Sequence, residues 1–119
     1  MKIGVVGNRK GWSEAFVYRK LNQQNITEDD VIVTGGANGV DQFGMLWAFQ
    51  HGVDVIRKHP RRSLPIPERY FERNRRIVEE VDKLIAFDLA SNNHSGTRYT
   101  IDKAKEKGIP IVLFNKHKL

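Results

Sequence analysis

The sequence predicts an α/β domain with a mostly parallel sheet, because two patterns alternate along the whole chain. Short apolar runs such as Ile3-Gly4-Val5-Val6 have the length and continuity of strands that are buried on both faces. Between these runs, apolar residues recur at helical spacing. Right-handed crossovers between parallel strands place such helices on both faces of the sheet. The 119 residues match one domain, which we assign to residues 1–119.

Five strands and four helices follow from this alternation. The strands are expected at residues 3–6, 31–33, 53–56, 84–87 and 111–114, and the helices at residues 13–23, 39–51, 68–81 and 97–107. The first helix begins after Ser13, a favoured N-cap residue, with Trp12 and Val17 spaced for a hydrophobic staple. Its apolar stripe is formed by Phe16, Val17 and Leu21.

The second helix is apolar almost all round, so the sequence predicts that it is well buried. Gly52 ends it. Residues 58–67 hold three of the four prolines and are expected to form a loop. The last helix ends at Gly108, with Pro110 behind it.

The third helix carries a polar residue in the middle of its apolar stripe. Asn74 lies four residues after Tyr70 and three before Ile77, and the stripe predicts that it is buried. A buried amide must be hydrogen-bonded, or it costs about 1–3 kcal/mol. We expect Asn74 to hold a neighbouring loop; contact with a ligand is the alternative. Arg73 and Arg75 flank it on either side of the stripe.

Composition excludes several kinds of function. The chain has no cysteine, which rules out disulfides, zinc–thiolate sites, iron–sulfur clusters and cysteine nucleophiles. The four histidines lack the spacing of metal ligands, so neither a metal nor another cofactor is expected. No apolar run is long enough for a membrane span, and the N-terminus does not resemble a signal peptide. A cytoplasmic location is therefore expected.

The net charge of +6 is concentrated in one segment. Residues 57–76 hold eight basic and two acidic residues, so the segment alone accounts for the whole excess. Such a patch faces phosphate, in a nucleic acid or a nucleotide, about as often as it is only a solvated basic surface.

The loops after the strands carry the candidate binding residues, because ligands of parallel sheets bind at the carboxyl ends of the strands. Two of these loops contain glycines and lead into helix N-termini, where exposed N–H groups and the helix dipole favour anions. The alternative is that the glycines only form tight turns. The candidates for binding a phosphate or another part of the ligand are Gly7, Asn8, Arg9, Gly35, Gly36, Ala37, Asn38, Gly39, Asn74, Arg75, Ser95, Gly96, Thr97 and Thr100.

Two carboxylates lie in the same loops. Asp41 stands in the first turn of the second helix, where it also suits the helix dipole, and Asp88 follows the fourth strand. Because many arginines are expected nearby, both carboxylates should be ionised and act as bases or hydroxyl acceptors. In an enzyme, the catalytic candidates are Asp41, Arg73 and Asp88.

These motifs together resemble the SLOG superfamily. The resemblance rests on residues 33–41 (VTGGANGVD), on Arg73-Asn74-Arg75, and on Ser95-Gly96-Thr97 with Thr100. The superfamily groups the DNA-processing protein DprA/Smf, the Lonely Guy-type phosphoribohydrolases and the small stand-alone YspA/YpsA-like proteins, to which this chain is most similar.

The resemblance implies a three-layer Rossmann-like fold with five parallel strands in the order 3-2-1-4-5. It also implies a nucleotide pocket in which residues 35–39 and 95–97 hold phosphate, with Arg73 or Arg75 nearby, and assembly into a homo-oligomer. In the Lonely Guy-type motif a catalytic glutamate stands where this chain has Thr100. That departure argues against N-glycosidic hydrolysis of the Lonely Guy type.

Three functions remain as hypotheses, in this order. The first is a sensor or binding module for a nucleotide or nucleotide derivative. The second is a single-stranded DNA or RNA binder of the DprA type, in which aromatic side chains stack on bases. Tyr70, Phe71 and Tyr99 are the candidates, although the first two are assigned to the core. The third is hydrolysis of an N-glycosidic or phosphoester bond, with Asp41 or Asp88 activating water and Arg73 holding the phosphate.

Overall fold

A computed structural model describes residues 1–89 and 96–115 of the chain. Five parallel strands form one sheet in the order β3-β2-β1-β4-β5, as the resemblance implied. The strands are β1 (Lys2–Gly7), β2 (Val31–Thr34), β3 (Asp54–Arg57), β4 (Lys83–Phe87) and β5 (Ile111–Phe114). The helices are α1 (Glu14–Asn22), α2 (Val40–Gln50), α3 (Glu68–Glu80) and α4 (Gly96–Lys107).

The helices cover both faces of the sheet, which gives the three predicted layers. Alternate residues of β1 divide between two apolar clusters: Ile3 and Val5 pack with α1 and α2, whereas Val6 packs with α3 and α4. The period of two along a strand explains this division, because successive side chains point to opposite faces. Both faces of the sheet are therefore buried, as its continuous apolar strands require.

The ends of the helices follow the local sequence. The Ser13 hydroxyl accepts a hydrogen bond from the Phe16 N–H at 3.1 Å and caps α1 as predicted. Gly108 ends α4 with a φ of +80°, and its N–H donates to the Ala104 carbonyl at 3.0 Å. None of the helices in the described parts of the chain is long and apolar enough to cross a membrane.

Helix α2 is not buried all round, which corrects the expectation from its composition. Val40, Trp47 and Ala48 face the sheet, but Leu46 is 37% exposed and Phe49 is 68% exposed. In a three-layer domain an outer helix buries only the face that meets the sheet. The apolar composition of α2 therefore did not distinguish its inner face from its outer face.

The strand order reverses direction between β1 and β4. The chain runs outward from β1 through β2 to β3, and then returns to the other side of β1 to form β4 and β5. At such a switch point the loops after the two central strands diverge, and a crevice opens at their carboxyl ends. The fold thus places the loops after β1, β2 and β4 around one location.

Candidate ligand-binding site

A cavity of about 370 Å³ opens at the carboxyl ends of the strands. It lies between the loop after β1, the start of α2, the first half of α3 and the first turn of α4. Its lining residues are Val6, Gly7, Asn8, Arg9, Ala37, Asp41, Pro67, Tyr70, Phe71, Arg73, Asn74, Gly96, Thr97 and Thr100. A cavity therefore lies at the switch point of the sheet in this chain.

The loop after β1 packs tightly on the start of α2, and glycine makes this contact feasible. Gly39 has a φ of +82°, and a Cβ atom there would lie 2.5 Å from the Arg9 carbonyl oxygen. The Val40 N–H points at the Asn8 carbonyl at 3.4 Å. Any side chain at position 39 would push the two segments apart. Gly39 therefore does not line the cavity, but it allows the loop after β1 and the start of α2, which do line it, to pack together.

Arg73 projects from α3 into the inner part of the cavity and is only 5% exposed. Its Nε donates to the Asn74 side-chain oxygen at 2.7 Å, and its Nη1 donates to the Gly35 carbonyl at 3.1 Å. Burial lowers the pKa of Arg73, and Asp41 opposes that shift. The side chain is thus held in one orientation before any ligand arrives.

Asn74 connects Arg73 to the beginning of α4. While its oxygen accepts from Arg73, its Nδ2 donates to the Gly96 carbonyl at 3.2 Å. The Thr100 hydroxyl donates to the same carbonyl at 2.8 Å. The amide therefore holds a neighbouring segment, as expected for a polar residue in that stripe. It also lines the cavity, so contact with a ligand stays open.

Asp41 faces the cavity from the first turn of α2 and is 5% exposed. One carboxylate oxygen accepts from the Ala37 N–H at 3.3 Å. Burial raises the pKa of Asp41 to about 6; Arg73, the N–H groups of Ala37 and Gly7, and Arg9 oppose that shift. Loss of water therefore has a larger effect on this carboxyl than the arginines do, although a pKa of about 6 still leaves it mostly ionised at neutral pH, as expected.

Tyr70 and Phe71 form an aromatic wall of the cavity. The Arg9 guanidinium carbon lies 5.4 Å from the centre of the Tyr70 ring, and that of Arg73 lies 6.0 Å from it. Phe71 meets the ring of Tyr99 at 4.8 Å between centroids. Assigning Tyr70 and Phe71 to the core was wrong, because both are only partly buried and line the site. In the sequence, the signal that Tyr70 and Phe71 line the cavity was that they share the α3 stripe with the polar Asn74.

Asp88 lies outside the cavity and supports the loop after β1. It is buried, accepts from the Asn8 side-chain amide at 3.2 Å and lies 3.5 Å from an Arg98 nitrogen. The Asn8 oxygen in turn accepts from the Trp12 indole at 3.0 Å and from the Leu89 N–H at 2.9 Å. Asp88, a catalytic candidate from the sequence, is therefore not among the described residues that line the cavity.

The other predicted site residues divide between the cavity and its surroundings. Those that line it besides the residues above are Gly7, Asn8, Arg9, Ala37, Gly96, Thr97 and Thr100. Those that do not line it are Gly35, Gly36, Asn38, Gly39 and Arg75. Ser95 lies outside the described residues. Within the described parts of the chain, no group of acidic or histidine side chains is arranged to hold a metal ion.

The basic segment is largely engaged in holding its own structure. Arg69 donates to the carbonyls of Leu64 and Arg62, at 2.9 and 3.3 Å, and Arg76 donates to the His59 carbonyl at 2.6 Å. These arginines of α3 therefore help to fix the loop of residues 58–67.

Carboxylates beyond the segment neutralise part of its charge. Lys58 pairs with Glu80, and Arg75 lies 3.6 Å from Glu79. Since Glu79 and Glu80 follow residue 76, the charge count of residues 57–76 overstates the positive charge of this surface. Among the described residues, the cations that line the cavity are Arg9 and Arg73.

Fold and cavity together define a Rossmann-like domain with an arginine-lined pocket at its switch point. The chain belongs to the YspA, cpYpsA-related SLOG family, whose model matches residues 1–64. That match includes the loops after β1 and β2 and the first turn of α2, and it confirms the resemblance stated above.

Solved structures of DNA processing protein A share the fold. The protein from Streptococcus pneumoniae has a TM-score of 0.77 and 21% identity over 94% of this chain and 49% of its own. The protein from Helicobacter pylori, described for its unique mode of binding single-stranded DNA, has a TM-score of 0.72 and 19% identity over 95% of this chain and 64% of its own. This chain thus spans about half to two thirds of their length. A search of curated proteins gave no significant match.

Proposed function

We propose that the cavity binds a nucleotide or a nucleotide-derived ligand, and that the protein acts as a sensor or binding module for it. The observation that carries this proposal is the buried Arg73, which is oriented toward the cavity by two hydrogen bonds and lies beside an aromatic wall. A guanidinium held in this way suits a phosphate, and an aromatic ring suits a base.

The size of the cavity fits a small ligand. Its 370 Å³ lies at the lower end of the range of about 300–1,000 Å³ that small-molecule sites occupy. That volume suits a ligand of about mononucleotide size better than a dinucleotide.

Each wall of the cavity offers a different contact. Arg9 and Arg73 supply positive charge, and the first N–H groups of α4, at Gly96 and Thr97, favour an anion. Tyr70 offers a ring to a base. Asp41 is available to accept a hydrogen bond from a ribose hydroxyl. This combination of charge, ring and acceptor matches the parts of a nucleotide.

Single-stranded nucleic acid is the second candidate. It is favoured by the fold shared with the Helicobacter pylori protein, which binds single-stranded DNA. Against it, several arginines of residues 57–76 are occupied by carbonyls or carboxylates of the chain itself. We therefore place it second.

Hydrolysis of a nucleotide would depend on Asp41. Thr100 stands where the Lonely Guy-type motif has its glutamate. It is fully buried, and its hydroxyl donates a hydrogen bond to the Gly96 carbonyl. It therefore cannot act as a base. Asp41 lines the cavity with a pKa of about 6, which suits proton acceptance near neutral pH. We rank this function third.

A thermal-melt panel tests the proposal. Mono-, di- and cyclic nucleotides, ADP-ribose, ribose 5-phosphate and a short single-stranded DNA are each added at low and moderate salt. A ligand at about 100 times its dissociation constant stabilises by about 2.7 kcal/mol, which raises the midpoint of a domain of this size by roughly 8–15 °C. A shift with a small nucleotide is expected. A shift with DNA alone that salt abolishes would favour the second candidate instead.

Cytoplasmic location and assembly into a homo-oligomer remain predictions. Gel filtration with light scattering, with and without a nucleotide that stabilises the protein, measures the assembly directly.

A further inference from the structure

Helix α2 carries an apolar stripe on its outer side. Leu46 is 37% exposed and Phe49 is 68% exposed, and their spacing of three residues places them next to each other on the helix surface. The exposed Gln42 and the half-buried Met45 continue the same side of the helix. We call residues 42, 45, 46 and 49 the outer stripe.

The outer stripe has the composition of a protein interface. The one charged residue in the sequence of α2 is Asp41, which is buried at the cavity. The other helices expose charged side chains, such as Glu14 and Arg19 on α1 and Lys105 and Glu106 on α4. Interface cores are depleted in charged residues and enriched in aromatic residues and methionine. An uncharged helix side on which a leucine and a phenylalanine lie together therefore indicates a contact surface.

The distribution of charge favours a second copy of the chain as the partner. Helices α1 and α2 cover one face of the sheet, whereas α3, which carries part of the basic segment of residues 57–76, covers the other face. Two copies that meet at their outer stripes keep their basic surfaces apart, so like charges are not brought together. A nucleic acid or an acidic protein would be attracted to the basic face of the domain instead.

We propose that the protein forms a homodimer in which the outer stripe of α2 packs against the outer stripe of a second copy around a twofold axis. Such a contact uses the same residues on both copies and places no charged side chain at its centre. The inference names a surface for the assembly predicted above. It goes beyond the proposed function and does not depend on it, because Leu46 and Phe49 do not line the cavity.

The size of the outer stripe sets the expected strength of the dimer. Helix α2 has 11 residues and is therefore about 16 Å long. It alone offers a small contact compared with the area of about 800 Å² per partner that stable interfaces bury. Helix α1 packs beside α2 and exposes Glu14 and Arg19, whose opposite charges suit the rim of the same interface. We therefore expect a reversible dimer that dissociates on dilution.

Sedimentation velocity of the full chain, in a concentration series up to about 1 mM, tests the inference. The average mass is expected to rise with concentration from that of one chain toward that of two. Added salt is expected not to weaken the association, because it screens the repulsion between two positively charged copies and leaves an apolar contact intact. A single chain throughout the series, or a dimer that salt dissociates, would overturn the inference.

A pair of matched variants tests the surface. Phe49→Glu places a charge in the contact at little risk to folding, because Phe49 is largely exposed. It is expected to weaken dimerisation about tenfold or more, since the carboxylate would lose water without gaining a partner. Ile66→Glu is the control, because Ile66 is 65% exposed but lies in the loop before α3. If Phe49→Glu dimerises as tightly as Ile66→Glu does, the inference is wrong.

Amide-resolved nuclear magnetic resonance spectra at low and high protein concentration locate the contact without any substitution. Concentration-dependent shifts are expected at the amides of residues 45–50 on α2, and the amides of α3 should not move. Shifts confined to another surface, such as β5 with its exposed Leu113, would show that the copies meet elsewhere and would overturn the inference.

Discussion

Asp41 is a buried carboxyl group, and its burial lowers the free energy of unfolding by an amount that depends on pH. Its pKa rises from 3.8 to about 6 on folding, because burial disfavours the charged form more than the arginines favour it. Between those two values the folded state binds more protons than the unfolded state, so the free energy of unfolding falls as the pH rises through this window. The cost is fully present above about pH 6.

Asp41→Asn should remove this cost. Relative to the wild type, the variant is expected to gain about 2–3 kcal/mol in free energy of unfolding between about pH 4 and above pH 6. The measurement is urea denaturation of both proteins across that range. Taking the difference cancels the opposite contributions of Glu72 and Glu80, whose pKa values are lowered by basic partners. A constant difference would show that Asp41 has an ordinary pKa.

Gly39 is a second residue whose role can be isolated. Gly39→Ala places a Cβ atom 2.5 Å from the Arg9 carbonyl oxygen at a φ of +82°. Gly108→Ala also places a side chain at a positive φ, of +80°, but no atom lies within 4 Å of the new Cβ. The control should cost about 1–2 kcal/mol, and Gly39→Ala about 1–3 kcal/mol more. Equal costs in urea denaturation would mean that the loop after β1 does not press on α2.

At the scale of elements, α3 organises both the cavity and the loop before it. Its inner face carries Tyr70, Arg73 and Asn74 into the cavity. Its Arg69 and Arg76 hold carbonyls of residues 58–67. The helix is therefore the element on which the site depends most.

Removal of one of these arginines should destabilise the protein more than removal of a surface ion pair. Arg69→Gln loses hydrogen bonds to two carbonyls, and a cost of about 1–3 kcal/mol is expected. Arg75→Gln, on the same helix, loses only exposed ion pairs and should cost about 0–1 kcal/mol. The urea midpoints of the two variants make the comparison. Equal midpoints would refute a structural role for Arg69.

Elements with strong local signals were predictable from sequence. All five strands and four helices lie where alternation placed them, and Ser13 caps α1. The exposure of the outer face of α2 and the aromatic wall of the cavity were not predictable from sequence. Whether Phe49 or Tyr70 meets the core or an opening depends on which elements pack against that face. Periodicity finds an apolar face, but it does not tell a filled interior from a cavity.

At the scale of the whole molecule, the excess charge of +6 lies in residues 57–76 when charges are counted along the sequence. The surface that these residues form in the folded protein is less positive than this count. Folding brings Glu79 and Glu80 to the segment and turns several arginines toward carbonyls. Composition could not reveal this, because the partners come from outside the segment or from the backbone. The charge that remains inside the cavity is the more specific indication of a phosphate ligand.

The central claim is that a nucleotide binds in the cavity, and an amide-resolved nuclear magnetic resonance titration with AMP tests it most directly. The account predicts saturable shifts at the lining amides of Gly7, Arg9, Ala37, Gly96 and Thr97. Amides on the far face, such as those of α1, should not move. Shifts confined to the loop of residues 58–65 and the outer face of α3, or no shifts at saturating AMP, would contradict it.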